Sequence, residues 1–217
     1  MLSKLARLIA HPLCVGCNRE GIELCAACVG KIEPPLPRCT YCKKHNKKLV
    51  CNECKLTTGV HEIYVAGLYT GILRDVVGGI KFTHQKYMLA PAAKLLAERI
   101  NSKADDFDII VPVPTSPSRI RQRGFDHTKE LAKCMSKLLN IESSSILYRL
   151  NSNRQVGQNR EKRLSQAKKQ FNFSQHAPGS VLLVDDVITT GATIAACASL
   201  LRAAGAKEVT VAALAQD

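Results

Sequence analysis

The residues best able to do chemistry in this 217-residue chain fall in two places. In VLLVDDVITTGAT, residues 181–193, an apolar run ends on adjacent carboxylates, Asp185 and Asp186. Thr189, Thr190, Gly191, Ala192 and Thr193 follow at once. Buried neighbouring carboxylates need partners, because burying an uncompensated charge is costly. Vicinal sugar hydroxyls can donate to them, as a ribose does to the acidic residue of dinucleotide folds. Backbone amides and threonine hydroxyls at a helix start form an anion nest suited to a phosphate monoester. Diol acceptors beside a phosphate cradle describe a ribose 5-phosphate site. The plain alternative is a capped helix preceded by surface aspartates. A nucleoside-triphosphate loop is excluded, since no G-x-x-x-x-G-K-[ST] occurs.

The second place is the amino-terminal quarter. Eight of the ten cysteines lie in four C-x-x-C pairs, Cys14/Cys17, Cys25/Cys28, Cys39/Cys42 and Cys51/Cys54, with gaps of 7, 10 and 8 residues between pairs. Two C-x-x-C turns can converge four thiolates on one tetrahedral zinc ion. Sequential pairing assigns Cys14, Cys17, Cys25 and Cys28 to one zinc and Cys39, Cys42, Cys51 and Cys54 to another; the spacing leaves an interleaved arrangement open. These stretches hold few apolar residues, so metal would supply most of their folding energy. A disulfide framework is the competing reading, and it needs an oxidising compartment. The N-terminus, MLSKLARLIAHPLC, is too short and too charged for a secretory signal, so the expected location is cytoplasmic. His11, His45 and His61 flank the pairs as lesser ligand candidates, and Cys134 and Cys197 sit on apolar helical faces as core residues.

No apolar run reaches the roughly 18 residues of a membrane helix, so no membrane insertion is expected. The formal net charge is +13, from 31 Lys and Arg against 18 Asp and Glu. Two four-thiolate zinc sites would reduce it to roughly +9, which still suits nucleic acid or polyphosphate.

These residues need elements to hold them. VLLV is a strand covered on both faces, and ATIAACASLLRAAGA is a helix closed by Gly205. A ligand site between them would lie at a strand's carboxyl end, where open α/β sheets bind ligands. IYVAGLYTG, FDIIVPVP and EVTVAALA read as strands; GILRDVVGGIKF, APAAKLLAERI and HTKELAKCMSKLLN read as helices. The alternation predicts an α/β fold. The expected boundary falls near residue 60: paired cysteine modules over 1–60, joined by the stiff connector KIEPPLPRC, then an α/β domain over 61–217. The cysteine modules are the one internal repeat.

Residues 181–193 resemble the phosphoribosyl-pyrophosphate (PRPP) signature of type I phosphoribosyltransferases. The rest resembles one branch, the ComF/GntX (ComFC) family of competence-associated proteins, through the cysteine modules, LRDVVGGIKF, IIVPVPTSPSRIRQRGFDHTKELA and RQVGQNREKRLSQAKKQF. In one departure, Asp126-His127 stands where the family commonly shows Asn-Gln; His127 reads first as a helix-start residue, with a functional substitution as the alternative.

The resemblance implies a type I phosphoribosyltransferase fold, a parallel sheet flanked by helices with PRPP over its carboxyl ends, beside a small N-terminal zinc-binding domain. It implies displacement of pyrophosphate from the anomeric carbon by a nitrogen nucleophile. Asp185 and Asp186 would hold the diol and Mg²⁺, and Thr189, Thr190, Gly191, Ala192 and Thr193 the 5-phosphate. Pro114 and Thr115 would shape the pyrophosphate turn, with Arg123 as its leading charge and Lys81 as a second cation or a plain surface lysine. The polar stretch with Arg149, Arg154, Gln155, Gln158, Arg160 and Arg163 resembles a hood that closes over the site, with Gln155, Gln158 and Arg163 as contacts; a disordered basic loop is the alternative. Nothing identifies the nucleophile. Two readings follow: a transferase acting in DNA uptake, or a non-catalytic PRPP-sensing module that binds DNA or protein. Single-stranded DNA and a helicase-like competence protein are the expected partners, although few aromatics are present to stack on bases.

Overall fold

The computed structural model describes residues 11–83, 85–150 and 170–217. Its centre is a parallel sheet of four strands, β1 (Glu62–Leu68), β2 (Ile109–Pro112), β5 (Ser180–Ile188) and β6 (Glu208–Gln216), in the order β1-β6-β5-β2. A short antiparallel pair, β3 (Leu147–Arg149) and β4 (Phe171–Phe173), stands apart. The sequence does not foretell that pair, whose strands are only three residues long.

Because side chains alternate across a strand, β5 feeds two cores. Leu182 and Val184 pack with α3 (Gly71–Phe82), α4 (Leu89–Ile100) and α6 (His127–Leu139) on one face. Val181 and Leu183 pack with α7 (Ala192–Ala203) and the β3–β4 pair on the other. The four predicted helices occur where expected. A further helix, α5 (Pro117–Arg123), follows the turn after β2 in a stretch to which the sequence reading assigns no element. Ser116 caps it by accepting from the Arg119 amide, and Pro117 sits in its first turn, where a missing N–H costs nothing. Gly205, at φ 108°, follows the end of α7.

The cysteine modules pack on opposite faces of the sheet. Cys14, Cys25 and Cys28 join the core with α3, whereas Cys39, Cys42, Cys51 and Cys54 join the core with α7. The two repeat one design. The Cys14 and Cys39 amides donate to Arg19 and Lys44 carbonyls, and the Asn18 and Lys43 amides to Cys14 and Cys39 carbonyls. A short helix follows each third cysteine, α1 (Ala26–Val29) and α2 (Asn52–Thr58).

The connector between the modules runs beside β1. The Leu68 amide donates to the Glu33 carbonyl at 2.9 Å, and the Thr70 hydroxyl to the Glu33 carboxylate at 2.8 Å. Gly67 permits that approach: a Cβ there would stand 2.3 Å from the Glu33 carbonyl oxygen and 2.5 Å from Ile32. Gly67→Ala should therefore destabilise the fold by about 1–3 kcal/mol, the usual cost of overpacking. Gly78→Ala, in α3 with nothing within 4 Å of the added carbon, should stabilise by about 0.5–1 kcal/mol. Denaturant unfolding of both variants checks the contrast.

Candidate functional site

A cleft of about 350 Å³ opens at the carboxyl ends of β2 and β5. Asp185 and Asp186 line it, with Lys81 from the end of α3, Pro114 and Thr115 from the turn after β2, and Thr189 and Thr193 around the start of α7. The structure thus gathers most of the candidates around one space. Gln158 and Arg163 lie outside the described residues, as do Arg154, Gln155 and Arg160.

Asp186 has two side-chain partners. Lys81 Nζ lies 2.9 Å from its Oδ2, and His127 Nε2 bonds the same oxygen. Arg123 in turn donates to His127 Nδ1 at 3.0 Å. Burial opposes ionisation of Asp186, but the His127 hydrogen bond and the Lys81 ammonium outweigh it and hold the carboxyl low. Asp185 moves the other way: burial first, then the neighbouring Asp186 charge, push it up to about 8, against the Asp186 amide that donates to Oδ1 at 2.9 Å. One oxygen pair is thus held ionised and the next favours its proton.

Arg123, expected at the pyrophosphate turn, is buried behind the cleft wall and reaches the site through His127. Arg119, one turn earlier on α5, lines the cleft instead, as does Arg149. His127 is the first residue of α6, as expected, but its side chain is buried against Asp186, a role the sequence pattern does not disclose. Thr115 donates to Asp126 Oδ1 at 2.9 Å, and the same carboxylate accepts from the Thr128 hydroxyl and the Lys129 amide. Asp126 thus caps α6 and braces the Pro114–Thr115 turn with one side chain.

Gly191, at φ 74°, turns the chain from β5 into α7, and left-handed backbone of this kind favours glycine. Its bare Cα also lets the second cysteine module come close. A Cβ there would stand 2.6 Å from the Tyr41 ring and 3.2 Å from Thr40. Lys43 Nζ donates to the Thr189 carbonyl at 3.3 Å. Sequence reasoning passes over Lys43 because the contact spans 146 positions.

The cysteines form two groups, Cys14, Cys17, Cys25, Cys28 and Cys39, Cys42, Cys51, Cys54, with sulfurs within 4.8 Å of one another. This is the sequential arrangement. Sulfur separations of 3.7 Å for Cys17–Cys25 and 3.8 Å for Cys42–Cys51 fit the edge of a tetrahedron with metal–sulfur bonds of about 2.3 Å. Burial works against ionising Cys14, yet the amides of Cys25, Gly16 and Cys17 lower it to about 6. Burial likewise opposes ionisation of Cys39, which the amides of Cys42, Cys51 and Tyr41 lower to about 6. Burial and then the other sulfurs push Cys28 up to about 12. A divalent soft cation relieves that mutual repulsion, so either donor set could hold zinc. No histidine joins either group among the described residues, and all ten cysteines are free of disulfides. Cys197 is buried in the core with α7, and Cys134 packs partly buried against the other core.

Residues 129–217 match the phosphoribosyl transferase domain family. With the parallel sheet and the strand–turn–helix of β5 and α7, this defines a protein of type I phosphoribosyltransferase fold carrying two N-terminal four-cysteine groups. The chain is 30% identical to competence protein ComFC of Streptococcus pneumoniae over 175 residues, covering 79% of this chain and 77% of that protein. It is 28% identical to competence protein F of Haemophilus influenzae over 207 residues, 89% of this chain and 90% of that one. Among solved structures, adenine phosphoribosyltransferase of Thermoanaerobacter pseudethanolicus aligns over 68% of this chain and 76% of that chain, with 14% identity and a TM-score of 0.43. The chain belongs to the ComFC family of competence-associated, phosphoribosyltransferase-like proteins.

The carboxylate pair makes a pH prediction. Asp185 binds its proton more tightly folded than unfolded, so its contribution to stability falls as pH rises from about 4, the ordinary carboxylate value, to about 8. Asp186, held low, contributes stability that is retained across this window. Asp185→Asn should raise the melting temperature relative to wild type more at pH 8 than at pH 5, by about 2–4 °C for each kcal/mol relieved. Thermal scans of both proteins at both pH values check it.

Proposed function

We propose that the cleft binds PRPP with Mg²⁺ and that the chain transfers the phosphoribosyl group to a nitrogen nucleophile, acting in the cytoplasm in DNA uptake. One observation carries this reading: two carboxylates near the carboxyl end of β5 line a cleft with Lys81 and Arg119, with the start of α7 on its rim. Asp185 and Asp186 accept hydroxyl donors from the ribose diol. The amides and hydroxyls of residues 189–193 receive the 5-phosphate. The Pro114–Thr115 turn and Arg119 face the pyrophosphate, with Lys81 between it and the diol. Arg123 acts through His127 as a positioning residue.

In the transfer, the bond from the anomeric carbon to the pyrophosphate oxygen breaks with its electron pair leaving on pyrophosphate. A nitrogen–carbon bond forms and the nitrogen's proton passes to water or to the released pyrophosphate. Charge accumulates on the leaving group, so fixed cations matter most. Asp185 and Asp186 would hold Mg²⁺, which would supply further positive charge to the departing pyrophosphate. Zinc in each four-cysteine group is structural in this reading, with residues 1–60 as the metal-holding part and 61–217 as the transferase part. The competence proteins among the relatives support the physiological assignment.

PRPP with Mg²⁺ at about 100 times its dissociation constant should stabilise the fold by about 2.7 kcal/mol. Asp185→Asn with Asp186→Asn should abolish the gain; calorimetric affinity unchanged in that double variant would sink the site assignment. Incubation with PRPP, Mg²⁺ and a cell extract should release pyrophosphate above the spontaneous rate, and Arg123→Ala should slow it. Release at the no-protein rate moves the reading to a PRPP-sensing module.

That second reading has its own observation. A groove of about 540 Å³ carries Lys55, Arg202 and Lys207 at the end of α7 remote from the cleft. No helix among the described residues is long and apolar enough to cross a membrane. Three such cations suit a single-stranded DNA backbone, and a helicase-like protein is the other candidate partner. Affinity for an oligothymidylate should fall with salt, with a log–log slope steeper by about 2 in wild type than in the triple alanine variant. Equal slopes would remove the groove from DNA binding.

A further inference from the structure

One wall of the cleft is left over once diol, phosphates and metal have their partners. The lysine and arginines of the cleft, Lys81, Arg119 and Arg149, come from α3, α5 and β3. The wall at the carboxyl ends of β1 and β6 carries no such cation among the described residues; Tyr69 and Asp217 form it. The backbone sets these two side by side. The Tyr69 amide donates to the Gln216 carbonyl and the Asp217 amide to the Ile188 carbonyl, just past the last paired residues, Leu68, Gln216 and Ile188. Tyr69 packs partly buried against the core with α3, which holds its ring, whereas Asp217 is exposed. Neither side chain has a hydrogen-bond or ion-pair partner among the described residues.

Strand order decides what this wall can meet. Strands lie about 4.8 Å apart, so in the order β1-β6-β5-β2 the strand of the carboxylates is roughly 5 Å from β2 and roughly 10 Å from β1. A displacement at the anomeric carbon needs its nucleophile aligned opposite the leaving group. With pyrophosphate at the turn after β2, the nucleophile comes from the side of β6 and β1. The residue types narrow it further. An aspartate with no cation beside it repels phosphate and accepts from N–H donors. A fixed tyrosine ring offers a flat face for stacking. An alkylamine also suits that pair, but at neutral pH it is an ammonium with no lone pair to attack with. The ring nitrogen of an aromatic heterocycle keeps its lone pair.

We propose that Tyr69 and Asp217 form the acceptor subsite, and that the acceptor is a free planar nitrogen heterocycle stacked on Tyr69 with an N–H edge on Asp217. This rests on the transferase reading of the cleft and adds the substrate class to it. The ring nitrogen forms its bond to the anomeric carbon as the bond to the pyrophosphate oxygen breaks. Its proton passes to water or to the released pyrophosphate.

The test uses the full chain with both cysteine groups loaded with zinc, and adenine, guanine, cytosine and ethylamine as probes. On protein saturated with ribose 5-phosphate, calorimetry should show at least one of the heterocycles binding and ethylamine not. Tyr69→Leu keeps bulk against the core but loses the flat face, and should weaken that heterocycle roughly tenfold. Tyr69→Phe should keep its affinity, and Asp217→Asn should lose about tenfold. Affinity for ribose 5-phosphate itself should hold in all three variants. With PRPP and Mg²⁺ instead, the same heterocycle should become its ribonucleoside 5-phosphate. Undiminished heterocycle affinity in Tyr69→Leu and Asp217→Asn overturns the subsite, and so does a matching loss of ribose 5-phosphate affinity. Ethylamine binding as tightly as the heterocycles overturns the acceptor class. So does the absence of heterocycle binding, or of the product, while a cell extract still drives pyrophosphate release; the transferase reading then stands. Failure of wild type to bind ribose 5-phosphate, or to release pyrophosphate with heterocycle or extract, removes that reading and this proposal together.

Discussion

Two negative charges near the end of a strand buried on both faces set the conditions for everything around them. Asp185 and Asp186 stand just before Val187 and Ile188 finish β5, where the sheet meets the cleft, and neither can be left unanswered there. The answer is asymmetric. Lys81 from α3 and His127 from α6 converge on Asp186, whereas Asp185 receives the Asp186 amide and is pushed toward its neutral form. The residues that settle the charge come from two separate helices. The placement of α3 and α6 is therefore tied to one carboxylate as much as to the packing of Leu73, Val76 and Met135.

The cysteine modules add a constraint from outside the sheet. One is built into each hydrophobic core, so neither is an appendage on a tether. Their likeness is close enough for hydrogen bonds to correspond one for one, yet the surfaces they meet differ. On one side Gly16 abuts Ile72 of α3; on the other Tyr41 and Thr40 abut Gly191. The two modules share one frame, and residues between and just after the paired cysteines fit each to its own face.

How much of this could be read beforehand depends on the range of the cause. Strands and helices with local periodicity, such as β5, β6 and α6, are legible because the pattern lies within a dozen residues. So is the carboxylate–threonine run, whose chemistry is contiguous. The β3–β4 pair and α5 are not, being too short to show a period. The groups that act at a distance are the hardest. Arg123 looks like a surface cation until α5 turns it behind the wall, and His127 looks like a helix opener until β5 brings Asp186 beside it. Lys43 is one of several lysines in a basic run, and nothing local separates it from its neighbours.

The strand order has a consequence in time. β1, which precedes every other strand in the chain, has as its neighbour β6, which follows them all. A nascent chain leaving the ribosome must therefore carry β1 without its hydrogen-bonding partner until nearly all the described residues have been made. Only the connector through Glu33 is at hand to occupy the strand in the interval. Long-range parallel pairing of this kind is slow to form. The cysteine turns, whose contacts are local, can close long before it. Synthesis thus proceeds with two small finished knots and an unfinished sheet, and the faces those knots will cover come into being only when the C-terminal strand arrives.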